Sequence, residues 1–286
     1  MLSKKVRLPV KSFLPLLVAI GLVLASCSGL GAGDTAGEQP SGGDVGGAQT
    51  EGEAADGQGQ DTGVDAAGGS GLCANPYFPV VNGATWTYSV TGSPIQDFSY
   101  TDTITNASAN GFTLSTSFAL EGGLQRTQAW GCQADGLVAL EYTGGPSASL
   151  SSEGVVAEFN TTAVTGITLP ANLAVGSSWT QTMEFEGDMT ISEGTTATTT
   201  GSATFAASAV GNETVTTPAG TFETIKVEIQ QTINITANVS GVSMPITFTG
   251  VATAWYASGV GMVKTVQTED FMGSTSTIEL QSYSIP

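Results

Sequence analysis

The sequence predicts an all-β fold, a single antiparallel barrel or sandwich-like domain of long strands, and three observations predict it. Apolar and polar residues alternate with a period of two through most of the chain beyond residue 73, the pattern of half-buried strands. Thr, Val, Ile and aromatic residues, which suit a pleated surface, dominate those stretches. Asn-Gly, Asp-Gly and Pro-containing pieces interrupt them where hairpins would turn, and no convincing amphipathic helix is present.

Taken in chain order, the first element is an export signal. Lys4, Lys5, Arg7 and Lys11 precede the apolar run Phe13 to Ala25, FLPLLVAIGLVLA, which is the basic-then-apolar order of a secretory signal. A transmembrane helix needs about 20 apolar residues, so this run is short for a span, and Pro15 and Gly21 weaken it further. The run ends in Leu24, Ala25, Ser26 and Cys27, which resembles the lipobox of bacterial lipoproteins. The resemblance implies a signal peptide at 1–26 and a lipidated Cys27 as the first mature residue. Anchorage would then be to the cell membrane or an outer membrane, outside the cytoplasm. At about 0.8 kcal/mol per buried methylene, a second acyl chain makes such anchoring stable where one is marginal. Ser28 stands where an inner-membrane retention signal would resemble aspartate, which favours an outer surface. The alternative is an ordinary secretory signal cut at a nearby small residue, leaving Cys27 lost or a stray thiol.

The second element, residues 27–72, is predicted to be a disordered tether. Residues 28–72 hold fifteen glycines, eight acids and no basic residue. Such a stretch buries too little apolar surface to offset the entropy of ordering. A Gly-rich coil of this length reaches about 35 to 40 Å, and like charges extend it. The third element, residues 73–286, is long enough for one domain with its own core, and it holds all four tryptophans.

Within that domain, cysteine parity carries one expectation. If Cys27 is lipidated, Cys73 and Cys132 remain as an even pair, and in an oxidising compartment a disulfide is the natural reading; two buried free thiols are the alternative. Metal binding is poorly supported, because there is no histidine and a closed zinc site needs four soft ligands.

Strands are expected at 84–90, 178–189, 245–256, 260–268 and 275–284. Asn110-Gly111 should join DFSYTDTITNAS to FTLSTSFAL, and Asp135-Gly136 should join QRTQAWGC to LVALEY, both as tight turns needing positive φ. Pro218 and Gly220 in TTPAG predict a long hairpin of strands near 202–216 and 221–238, with Gly220 in a left-handed bulge position. In the second of these strands Ile225, Val227, Ile229, Ile233 and Ile235 share one face, and Lys226, Glu228, Gln230, Thr232 and Asn234 share the other. The segment SSEGVVAEF at 151–159 reads as loop or strand. VVNGATWTY around Trp86 echoes LAVGSSWTQ around Trp179; two independent strand starts explain this more simply than a duplication.

Three stretches, YFPVVNGATWTY (77–88), TPAGTFETIKVE (217–228) and WYASGVGMVK (255–264), together resemble a group of bacterial envelope lipoproteins labelled TapB-like or domains of unknown function. The resemblance implies a β-rich envelope protein and supplies no catalytic residues.

Charge and motif content narrow the function. Without the signal, three basic residues, Arg126, Lys226 and Lys264, stand against 25 acids, a net charge of −22. Nucleic acid is an implausible partner for such a chain, since phosphates require clustered Lys and Arg. A serine or cysteine nucleophile needs a positioned base, histidine is absent, and neither Lys226 nor Lys264 follows a Ser-x-x-Lys spacing. Glu184, Glu186 and Asp188 form the visible acidic row, read as a solvated face, with calcium or glycoside hydrolysis as lesser alternatives. No cofactor fingerprint occurs. The expectation is a non-catalytic module binding an envelope protein or glycan, with a carrier of lipid or another hydrophobic ligand in a β-walled cavity as the alternative. A packed interior is slightly favoured. The anchor has a direct test: Cys27→Ser should abolish acylation and move the protein from the membrane to the soluble fraction, and equal membrane association of variant and parent would remove the lipoprotein reading.

Overall fold

A computed structural model of the chain describes residues 71–93, 96–120, 123, 125–142, 150–152, 155–191, 195–239, 241–269 and 274–286. The signal segment, Cys27 and all but the last residues of the expected tether lie outside the described residues. A 3-10 turn at Gly71–Cys73 leads into the strands. These are β1 (Thr85–Thr91), β2 (Phe98–Thr105), β3 (Gly111–Phe118), β4 (Gln125–Cys132), β5 (Gly136–Ala139), β6 (Leu150–Ser152) and β7 (Val155–Gly166). They continue as β8 (Leu169–Pro170), β9 (Ser178–Ile191), β10 (Thr195–Thr217), β11 (Gly220–Val239), β12 (Val242–Ala257), β13 (Gly261–Glu269) and β14 (Ser274–Ser284). The fold is all-β, and every strand predicted from the alternation is present.

All fourteen belong to one antiparallel sheet in the order β6-β7-β9-β10-β11-β12-β13-β14-β1-β2-β3-β4-β5-β8. Two meanders are spliced where β1 pairs with β14, Thr85 opposite Ser284, so the start and end of the domain lie side by side. The ladder is open, with β6 and β8 at its ends, but only Ile167 and Thr168 separate β7 from β8. β7 pairs with β9 up to Gly166 opposite Gln181, and β8 pairs with β5, Leu169 opposite Leu137. One short stretch of chain thus turns from one end of the ladder to the other. Gly166 makes the corner: its φ is +77°, and a Cβ there would collide with the Thr180 carbonyl oxygen. Gly136 receives the returning chain, since a Cβ on it would collide with the Leu169 carbonyl oxygen.

Alternation sorts the side chains as expected on β11. Ile225, Val227, Ile233 and Ile235 are buried, while Glu228, Gln230 and Asn234 are exposed. Two positions differ. Gln231 is buried in the apolar phase, and Ile229, expected in packed core, is only half-buried because it borders a cavity. Pro245 is tolerated within β12 because it pairs with Thr236 of β11, while pairing of β12 with β13 starts only at Gly250.

The turns correct three details. The β2–β3 hairpin exists, but Asn106 (φ 54°), not the Asn110-Gly111 pair, takes the left-handed conformation; Gly111 serves instead to let the Trp130 carbonyl approach. The β10–β11 hairpin closes on Pro218 and Ala219, with Thr217 opposite Gly220 in unbroken register, so no bulge sits at Gly220. The register shift in β10 falls between Ala209 and Gly211. Trp86 and Trp179 each begin a strand after a positive-φ glycine, Gly83 and Gly176, on strands that are not neighbours.

Two hydrophobic clusters result. The larger holds Trp86, Tyr88, Tyr100, Ile104, Val227 and Leu280 among others, and includes Cys73 and Cys132. The smaller, between the long arms of β9 to β12 and the chain around Tyr142 and Phe159, holds Met183, Phe185, Ile233, Ile235 and Phe248. Ile233→Ala, at a fully buried position, should cost about 2 to 5 kcal/mol, whereas exposed Gln230→Ala should stay within about 0.5 kcal/mol. Urea unfolding of both variants checks the register: similar losses would mean the face assignment is wrong.

Candidate functional site

Where the two clusters meet, the curled sheet encloses a cavity of about 130 Å³. Its wall takes side chains from β1 to β5 and from β8 to β14, so the concave face of nearly the whole sheet contributes. The packed interior favoured from sequence is therefore corrected. Inward small residues such as Ala139 and Ala207 leave space that the sheet curvature does not collapse. No helix covers the concave face among the described residues; the sheet covers itself. An apolar cavity of about 150 Å³ accepts benzene, so this one is ring-sized.

One end is plugged by the segment between Cys73 and β1. Phe78 lies 5.6 Å from each of Trp86, Phe112 and Trp130 by ring centroid, in stacked geometry. Asn75 orders the segment, accepting from the Tyr77 N–H (2.9 Å) and donating to the Pro170 carbonyl (3.0 Å). The Gly259 N–H donates to the Pro76 carbonyl at 2.7 Å, which ties the plug to the β12–β13 turn. Cys73 and Cys132 form a disulfide that fastens the start of the plug to the end of β4.

Most polar groups of the wall are engaged within it. Thr168 Oγ1 accepts from the Ala139 N–H (2.8 Å) and donates to Gln181 Oε1 (2.9 Å), while Gln181 Nε2 donates to the Ala139 carbonyl (3.0 Å). The Trp179 indole donates to the Thr168 carbonyl, and the Trp130 indole to Gln128 Oε1, both at 3.0 Å. Gln128 Nε2 donates to the Glu141 carbonyl (2.6 Å), and the Tyr88 hydroxyl to the Met262 carbonyl (2.9 Å). Burial first, then Tyr100, Asp102 and Tyr256, push Tyr88 well above its ordinary pKa, so it remains a neutral donor.

Asp102 is the carboxylate of the wall. It sits in the inward phase of β2 between Tyr100 and Ile104 and lines the cavity, where part of its surface remains accessible. Register places it opposite Thr116, and Thr116 opposite Arg126. Thr116 Oγ1 donates to Asp102 Oδ1 at 2.6 Å, and Arg126 Nη2 donates to Thr116 Oγ1 at 3.3 Å. The guanidinium also lies 5.9 Å from the Phe118 ring centroid. Burial raises the Asp102 pKa above the usual carboxylate value; the Thr116 hydrogen bond and the Arg126 charge act against that shift.

The other candidates fall elsewhere. Glu184, Glu186 and Asp188 are exposed on the outward phase of β9, and no group of three metal-binding side chains is assembled among the described residues. Lys264 pairs with Glu279 at 2.8 Å across β13 and β14, and Lys226 approaches Glu213 at 3.8 Å, so each faces a carboxylate. Trp130 and Trp179 line the cavity, while Trp86 and Trp255 are buried in the larger cluster. Asp102, Thr116 and Arg126 were not singled out by sequence reasoning. The available signal was phase, since a charged residue in step with Tyr100 and Ile104 must point inward.

Comparison with known proteins gives a similarity of residues 145–283 to the DUF3108-like family. Among curated proteins nothing matches the chain. Among solved structures, a candidate lipoprotein of Parabacteroides distasonis is similar at 16% identity and a TM-score of 0.44, covering 73% of this chain and 99% of that one. A candidate exported protein of Bacteroides fragilis with a YmcC-like fold gives 16% identity and 0.42, covering 73% and 98%. The hypothetical lipoprotein YmcC of Escherichia coli gives 11% and 0.29, covering 72% and 86%.

The raised Asp102 pKa has a consequence for stability. The folded domain holds this proton more tightly than the unfolded chain, so the contribution of Asp102 is most favourable below the ordinary carboxylate value and declines as pH rises to the raised value. Asp102→Asn keeps the acceptor for Thr116 and removes the titration. Across the mildly acidic range, the stability difference should shift toward the variant as pH increases and then level off. A pH-independent difference in denaturation midpoints would contradict the assignment.

Proposed function

We propose that the chain is a lipid-anchored envelope protein whose β-domain is a non-catalytic binding module, and that its cavity holds a small hydrophobic ligand. The observation that carries the reading is the cavity on the inner face of the sheet, with Trp130, Trp179, Tyr88, Tyr100 and Tyr256 in its wall. Size sets the ligand class. Pockets for drug-sized ligands run to about 300–1,000 Å³, so a cavity of about 130 Å³ suits a single ring or the end of a chain, not a whole lipid. The alternative drawn from sequence, a hydrophobic-ligand carrier, is thereby preferred in a smaller form. Presentation of the surface to a protein or glycan is the remaining reading drawn from sequence.

The absence of catalysis rests on the chemistry of the wall. Asp102 is its one carboxylate among the described residues, whereas glycoside hydrolysis requires a pair. Anchorage rests on the basic, short apolar signal and the Leu24-to-Cys27 run. Benzene titrated into the purified protein should change tryptophan emission saturably, and Ile229→Phe, which fills the cavity, should remove the response while retaining the fold. A non-saturating response in the parent, or reproducible turnover of a glycan or ester abolished at one carboxylate, would overturn the proposal.

A further inference from the structure

The chemistry of the cavity wall restricts its ligand further, on the premise that the cavity is the binding site. Its assigned donors are committed: the Tyr88 hydroxyl, the Trp130 and Trp179 indoles and the Gln128 and Gln181 amides each donate within the protein. Thr265 Oγ1 likewise donates to Met262 Sδ. Asp102, the one carboxylate of the wall among the described residues, is an acceptor that takes a hydrogen bond from Thr116 at Oδ1. An anionic ligand would face that carboxylate with no uncommitted partner among these donors. A neutral apolar ligand would leave the carboxylate with only the Thr116 hydroxyl and the Arg126 charge behind it.

We infer that the cavity selects a small apolar group bearing a cationic nitrogen, paired with Asp102 and enclosed by the rings of Tyr88, Tyr100 and Tyr256. Three features converge on the cation. The tyrosines supply π faces, which attract ammonium groups within about 6 Å of a ring centroid, and Tyr88 and Tyr100 already lie 5.1 Å apart. The guanidinium of Arg126 is not a rival occupant: it reaches Asp102 through Thr116, packs over Phe118 and does not line the cavity. The chain's net charge of −18 also concentrates cations around the domain. Pairing requires the ionised carboxylate, so binding releases the proton that burial otherwise helps Asp102 retain. Tyr88 from β1 interacts electrostatically with Asp102 and also with Tyr100 from β2 and Tyr256 from β12, while Arg126 from β4 acts on Asp102 and reaches it through Thr116.

The test uses three probes of one shape, cyclopentylamine, cyclopentanol and cyclopentane, titrated into the full-length protein and followed by tryptophan emission. The amine should bind about tenfold or more tightly than the alcohol, a gap of about 1.4 kcal/mol. Asp102→Asn should erase that preference, and acidification of the parent through the raised Asp102 range should weaken amine binding but not cyclopentane binding. Equal or tighter binding of cyclopentane by the parent would overturn cation selection while leaving the cavity as a binding site. If no probe binds, both readings fall. An amine preference that survives in Asp102→Asn would also overturn the assignment, because the carboxylate would not be its source.

Discussion

The structure depends on one covalent constraint, the five residues from Gly166 to Pro170 that carry the chain from its pairing with β9 to its pairing with β5. Strand pairing alone would leave a ladder with two ends. This short corner brings the ends together, and it is stitched by side chains: Thr168 bonds both the Ala139 amide and the Gln181 amide group, and Gln181 returns to the Ala139 carbonyl. These polar groups lie in a buried wall, where each unsatisfied partner would cost about 1 to 3 kcal/mol. Their mutual satisfaction makes a polar seam tolerable inside an apolar interior. Without it the concave face of the sheet would open to water, and the two hydrophobic clusters would lose the strands that join them.

The cavity is a by-product of that closure and, in the proposed reading, its use. A void of about 130 Å³, at about 24 cal/mol per Å³, represents roughly 3 kcal/mol of unrealised packing. Ala139 and Ala207 could be larger side chains that recover part of it. A domain that keeps small residues at an aromatic wall gives up stability where a ligand can restore it, the trade common at binding sites. The same wall places a carboxylate among tyrosines and balances it through a hydroxyl with the one arginine of the domain.

The strands were legible because period-two alternation in a Thr- and Ile-rich chain leaves little choice, and β11 shows why: its inward phase is aliphatic almost without a break. Turn chemistry was legible as to position but not conformation. Asn110-Gly111 marked the hairpin, yet the loop placed positive φ at Asn106. The cavity could not be read, since it depends on how side chains from twelve strands meet after the sheet curls. Asp102 was readable in principle but masked by composition. β2 alternates Thr101, Thr103 and Thr105 against Tyr100, Asp102 and Ile104, and an acid in a threonine-rich strand looks solvated until its phase is fixed. The conspicuous Glu184, Glu186 and Asp188 row drew attention because it is clustered, and clustering is what an outward face permits.

The disulfide enters this picture as a mechanical junction. Cys73 stands at the head of the plug and is joined to Cys132, at the end of a strand paired on both sides, with β3 and β5. In the chain-entropy account a closed loop of this size is worth about 4 kcal/mol, but its placement matters more than its magnitude. Tension transmitted along the residues before Cys73 passes through sulfur into β4. It bypasses Pro76 and Phe78, whose hydrogen bonds and ring contacts would otherwise peel away one at a time. If the proposed anchorage holds, a pull on the chain ahead of Cys73 would reach β4 before the floor of the cavity, and the site would stay closed under load.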